Sequence, residues 1–97
     1  MLRISTKVLG EQVSLLLEGS LSGPWVAEVR TAWRRASINR QAERIRVDLS
    51  GVTFFSEEGR RLLDQLCATG VEIVSSSLLT KPLCEELSKR YRGIGDR

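Results

Sequence analysis

Apolar and polar residues alternate through the opening of the chain. Ile4, Thr6 and Val8 fall on one side and Arg3, Ser5 and Lys7 on the other, the period-two pattern of a half-buried strand over residues 2–9. Gly10-Glu11 supplies a turn, so a hairpin is expected. Residues 12–18 read as a second strand with Val13, Leu15 and Leu17 on one face. Leu16 interrupts the alternation, which places this strand towards the centre of a sheet. The period then lengthens. Trp25, Val29, Ala32, Trp33 and Ala36 recur at three- and four-residue spacing, predicting a helix from Gly23 to Ser37 with Ser22 as N-cap and Pro24 in its first turn. At that spacing the two tryptophans are core residues packed on the sheet.

After a polar connection from Ile38 to Glu43, residues 44–49 alternate again. Ile45, Val47 and Leu49 point one way, and Arg44, Arg46 and Asp48 the other. That pattern gives the sheet one buried and one wet face. Gly51 to Ser56 leads back to a helix at 57–69, with Ser56 as N-cap, Glu57 and Glu58 in the first turn, and Leu62, Leu63, Leu66 and Cys67 as its buried stripe. Gly70 stops it. Val71 to Val74 is a short fourth strand and Ser75-Ser76-Ser77 a loop. A third helix begins near Thr80, with Pro82 in its first turn and Leu83, Cys84 and Leu87 facing the core. Residues 91–97 read as a frayed tail. The order β-β-α-β-α-β-α, joined by right-handed crossovers, predicts one α/β domain over residues 1–97: a four-stranded mixed, mostly parallel sheet with three helices mainly on one face.

Composition narrows the chemistry. At 97 residues, with 41% hydrophobic and 28% charged residues, the chain is one globular domain that requires neither disulfide nor metal. No apolar run approaches the ~20 residues of a membrane span. The opening Met1-Leu2-Arg3-Ile4-Ser5-Thr6 lacks a secretion signal's apolar stretch, so a cytoplasmic protein is expected. There is no histidine and there are two cysteines, too few ligands for a usual metal site; Cys67 and Cys84 read as small buried hydrophobes. No phosphate-binding loop or dinucleotide fingerprint is present, and no cofactor is expected. An enzyme would have to be built from Asp48, Glu57, Glu58 and Cys67. Adjacent glutamates on a helix diverge, and Asp48 is better placed to accept loop amides, so no catalytic role is expected. Net charge is +3, with Arg30, Arg34, Arg35, Arg40, Arg44 and Arg46 in one stretch. Without interleaved aromatics this reads as solvated surface and not as a nucleic-acid interface.

The segment Val47-Asp48-Leu49-Ser50-Gly51-Val52-Thr53-Phe54-Phe55-Ser56-Glu57-Glu58-Gly59 resembles the signature of the sulphate-transporter and anti-sigma-factor-antagonist (STAS) domain. Leu17-Glu18-Gly19-Ser20-Leu21 resembles that family's second strand and its exit, and Gly70 to Val74 its fourth. The resemblance spans residues 2–90. It implies a bacterial signalling module of the anti-sigma-factor-antagonist type whose partner is an anti-sigma factor or serine-kinase-like ATPase. The alternative it implies is an accessory subunit on the ATPase of a lipid-transport ABC complex.

The partner surface implied by the resemblance comprises Leu21, Ser22 and Gly23 with Ser56, Glu57, Glu58 and Gly59. In antagonists the helix start usually reads Asp-Ser-Ser-Gly or Asp-Thr-Ser-Gly, with the residue after Asp phosphorylated. Ser56 occupies the Asp position, Glu57 the phosphoacceptor position and Glu58 that of the following Ser; Gly59 is kept. Glu57 has no hydroxyl, and its carboxylate carries roughly half the charge of a phosphoserine. Three readings are open: a state locked as if phosphorylated, constitutive binding without a switch, or Ser56 as a displaced acceptor. Nothing in the pattern selects a surface for self-association, although the first strand and the wet sheet face are both available.

Overall fold

The computed structural model describes residues 1–38 and 44–95, with side chains as far as Tyr91. It contains β1 (Leu2–Leu9), β2 (Gln12–Leu21), α1 (Pro24–Ile38), β3 (Arg44–Phe55), α2 (Glu57–Ala68), β4 (Glu72–Val74) and α3 (Lys81–Gly95). The four strands form one sheet in the order β1-β2-β3-β4. β1 runs antiparallel to β2, and the β2–β3 and β3–β4 pairs are parallel. The turn at Gly10 has φ 61°, the left-handed first position of a tight two-residue hairpin.

The alternation read from the sequence sets the layers. Val13, Leu15 and Leu17 of β2, Val47 and Leu49 of β3 and Ile73 of β4 are buried in one core with Val29, Leu62, Leu63, Leu66 and Leu87 from the helices. On the other face Arg3 pairs with Glu18 at 3.9 Å and Arg46 with Glu72 at 3.1 Å. Trp25 and Trp33 are half-buried and pack against the core, in keeping with the packing role read from their spacing. Outer ion pairs tie α3 to α2: Arg60 to Glu86 at 2.9 Å and Arg90 to Asp64 at 2.8 Å. The Tyr91 hydroxyl also donates to Asp64.

Several boundaries depart from the pattern; α1 ends at Ile38, α2 at Ala68, and β4 begins at Glu72, each one residue from expectation. β2 continues past residue 18 to Leu21, and β3 past Leu49 to Phe55. Leu16 lies opposite Asp48 and Leu21 opposite Phe55, so β3 takes seven steps where β2 takes five. The two extra residues throw β3 out of phase, and its buried side chains go from Val47 and Leu49 to Val52. A strand bulged in this way no longer reads as alternating. α1 starts at Pro24 and not Gly23. α3 runs to Gly95, so residues 91–95, expected to be frayed, carry helix. Cys67 is only partly buried, whereas Cys84 is buried; the expectation of two buried cysteines holds for one, because Cys67 lies at the margin of the leucine stripe.

One buried polar side chain holds the β4–α3 loop. The Thr80 hydroxyl, wholly buried, donates to the Leu49 carbonyl at 3.1 Å and lies 2.6 Å from Ser75 Oγ. Ser76 donates to Ser50 Oγ from its amide at 2.9 Å and from its hydroxyl at 3.0 Å. The Ser50 amide in turn donates to Asp48 at 2.8 Å. A buried hydroxyl needs such partners, and these fasten the loop to the middle of β3, at Leu49 and Ser50.

Candidate functional site

β2 and β3 end side by side at Leu21 and Phe55, so their exits meet at one end of the sheet, between its two central strands. The Leu21 carbonyl is the meeting point. It accepts the Ser56 amide at 3.0 Å, and the Ser56 hydroxyl lies 3.5 Å away. Ser56 has extended backbone (φ −84°, ψ 174°), and its Oγ accepts the Gly59 amide at 3.1 Å. It is the N-cap of α2, as the sequence predicts, because serine satisfies an amide that the first turn leaves without a helical partner.

Gly59 follows from the same crossing. A Cβ there would stand 2.5 Å from the Leu21 carbonyl oxygen and 2.9 Å from Leu21 Cγ. The first turn of α2 rests directly on the end of β2, with room for a hydrogen and no methyl. Gly59 and Leu21 are buried, Ser56 and Ser22 half-buried, and Glu57, Glu58 and Gly23 exposed. Glu57 faces Arg61 one turn on, at 3.7 Å, an exposed pair that contributes little to stability. Both glutamates lie at the amino end of the helix, where the dipole favours negative charge.

The other loop differs from expectation. Among the described residues the Ser22 hydroxyl makes no cap to α1; its carbonyl accepts the Trp25 amide at 3.2 Å. Gly23, at φ 57°, stands immediately before the helix, and Pro24 at the first helical position has no amide to satisfy. The structure therefore brings Leu21, Ser22 and Gly23 beside Ser56, Glu57, Glu58 and Gly59 on one tip, through the Leu21 carbonyl.

The sequence pattern does not single out Phe54, an exposed residue near this tip. Two residues before Ser56 on the same strand, it is 55% exposed, whereas Phe55 packs against the core. The signal was the Phe54-Phe55 pair itself: neighbours on a strand face opposite ways, so both cannot be buried in a one-sided sheet. Leu78 and Leu79 in the β4–α3 loop are also exposed.

Other candidates fall elsewhere. The arginine stretch divides: Arg34 and Arg35 lie on the helix layer, Arg44 and Arg46 on the opposite sheet face, and Arg40 lies outside the described residues. Arg30 donates to Gln65 at 3.3 Å and Arg46 to Glu72 at 3.1 Å. Burial, reinforced by the Asp64 carboxylate, pushes the Cys67 thiol up to about 11. Burial, with Asp48 and Glu85, does the same to Cys84. Such thiols are poor nucleophiles. Among the described residues no three His, Cys, Asp or Glu side chains converge as a metal site would require, and no helix is long and apolar enough to cross a membrane.

No protein-family model matches the sequence, and no curated protein does. Solved structures do. Mglu, in its native form and in its L-glutamate binding form, matches at 18% identity and TM-score 0.45, covering 75% of this chain and 26% of that one, too loose a likeness to inform the fold. The anti-sigma factor antagonist SpoIIAA in its unphosphorylated form matches at 19% identity and TM-score 0.56, covering 75% of this chain and 71% of that one. The mixed sheet with its single antiparallel pair and three helices is thus the α/β fold of SpoIIAA, the fold that the Val47–Gly59 signature implied.

Proposed function

We propose that this chain is a non-catalytic regulatory module that binds another protein through the tip formed by Leu21-Ser22-Gly23 and Ser56-Glu57-Glu58-Gly59. In this reading Glu57 makes it a constitutive binder, with no phosphorylation switch at that position. The observation that carries it is the convergence of the two loops on the Leu21 carbonyl, which sets two exposed carboxylates on a capped helix start. Phe54 adds an exposed aromatic near the end of β3. An aromatic anchor beside a charged rim is the usual anatomy of a small protein interface. The Ser56 hydroxyl is half-buried and engaged in the cap, which favours a fixed cap over a displaced phosphoacceptor. The likeness to an anti-sigma factor antagonist supports a protein partner over a small substrate, though fold analogy alone names none.

The test is affinity capture from the native organism with three baits: wild type, E57K/E58K, and a control reversed at the remote, exposed Arg34. A kinase-like ATPase or anti-sigma factor recovered by wild type and control but lost from E57K/E58K supports the reading. An ABC ATPase showing that dependence would keep the tip and change the machine. If no protein's recovery depends on residues 57 and 58, the tip is not the binding surface.

A further inference from the structure

The outer edge of β1 is bare among the described residues, and its backbone phase is fixed. Leu9 and Gln12 close a two-residue turn, so they exchange hydrogen bonds. The Ser20 amide donates to the Met1 carbonyl at 2.9 Å, which sets the same phase at the other end. The odd residues of β1 therefore bond to β2, and the amides and carbonyls of Leu2, Ile4, Thr6 and Val8 point outward. The side chains of Ile4, Thr6 and Val8 floor a groove of about 450 Å³ beside that edge, walled by Glu28, Ala32 and Arg35 of α1. Val8 and Leu9 are 60% and 63% exposed.

We propose that a second copy of this chain docks along this edge, with the two β1 strands pairing antiparallel about a two-fold axis through Thr6 and the two grooves meeting across it. The argument is self-complementarity. α1 packs over β2 and runs alongside β1, with Glu28 towards one end of the groove and Arg35 towards the other. They lie seven residues apart, symmetrically about Thr31 and Ala32, small residues at the axis. Neither forms an ion pair among the described residues. The two-fold axis sets Glu28 of each copy opposite Arg35 of the other, twice.

The strand register agrees. With Thr6 opposite Thr6, Ile4 meets Val8 and Lys7 meets Ser5, apolar against apolar and charge against hydroxyl. The register centred on Ser5 would set Arg3 against Lys7 twice, which like-charge repulsion disfavours. At a strand spacing of about 4.8 Å, an α1 centred over β2 lies about 14 Å from its symmetry mate. That is beyond the roughly 8–10 Å of directly packed helices and leaves a gap for the Glu28 and Arg35 side chains to bridge. The interface lies at the side of the sheet, independent of the tip around Ser56, and points the two tips in opposite directions.

Sedimentation equilibrium over a wide concentration range tests this. Wild type is expected at twice the chain mass. E28R and R35E, each setting like charges face to face twice, are expected to weaken the dimer about tenfold or more, and the double exchange E28R/R35E to restore it. Thr6→Pro, which removes an outward amide without touching the β1–β2 ladder, is expected to abolish it. Both charged side chains are exposed, so the exchange series stays decisive even if T6P does not fold. A wild type monomeric throughout, leaving the edge to a strand from a different protein, overturns the proposal. So does a dimer indifferent to E28R and R35E.

Discussion

Replacing Gly59 with alanine isolates the contact that organises the tip. In an ordinary helix glycine-to-alanine stabilises, by up to about 1 kcal/mol. Here the added methyl meets the Leu21 carbonyl oxygen at 2.5 Å and Leu21 Cγ at 2.9 Å, and ordinary contact requires roughly 1 Å more. The carbonyl cannot retreat freely because the Ser56 amide holds it at 3.0 Å. Overpacking costs about 1–3 kcal/mol, and a clash this close against backbone belongs to the upper part of that range, about 2–3 kcal/mol; less the helix gain, the net loss is about 1–2 kcal/mol. For a domain of this size that lowers Tm by about 5–15 °C. Urea unfolding followed by far-UV circular dichroism measures it: the midpoint falls at unchanged slope. A G59A protein as stable as wild type, or more stable, would refute the claim that α2 rests directly on β2.

Thr80→Val removes the hydroxyl that donates to Leu49 and keeps the shape; leaving a buried acceptor short of its donor is expected to cost about 1–3 kcal/mol, read as a lower urea midpoint, and an unchanged midpoint would mean that the hydroxyl holds nothing. The two thiols, pushed up to about 11, hold their protons more tightly when folded than when unfolded. Their contribution is complete below about pH 9 and is lost as pH rises towards 11. Urea midpoints of wild type should therefore fall more steeply across that interval than those of C67A/C84A; parallel curves would contradict the burial of the thiols.

Most of the fold was legible because one period dominated each segment. Val13-Leu15-Leu17 and Ile45-Val47-Leu49 define strands with one apolar face, and the leucines of α2 define its stripe. Legibility failed where backbone geometry departs from a period. The two extra residues of β3 hide a strand inside Gly51–Phe55, since Val52 and Phe55 return to the core out of step. Ser20 and Leu21 fall outside the strand read over 12–18 because their pairing depends on Phe54 and Phe55, remote in sequence. Ser56 as cap was legible from its own chemistry and the glutamates after it. Ser22 was not, because the left-handed Gly23 beside Pro24 ends the strand without a side-chain cap. The role of Gly59 against Leu21 is invisible locally, since it is a contact between elements 38 residues apart.

The central claim is that the β2–α1 loop and the start of α2 form a single binding surface. Hydrogen exchange on the chain alone and in complex with its captured partner tests it most directly. The amides of Ser22 and Gly23 and those of Glu57 to Gly59 should slow together on binding, while the outer face of α3 stays unchanged. Protection confined to α3 or to the open sheet face, with both loops exchanging as in the free protein, would contradict it.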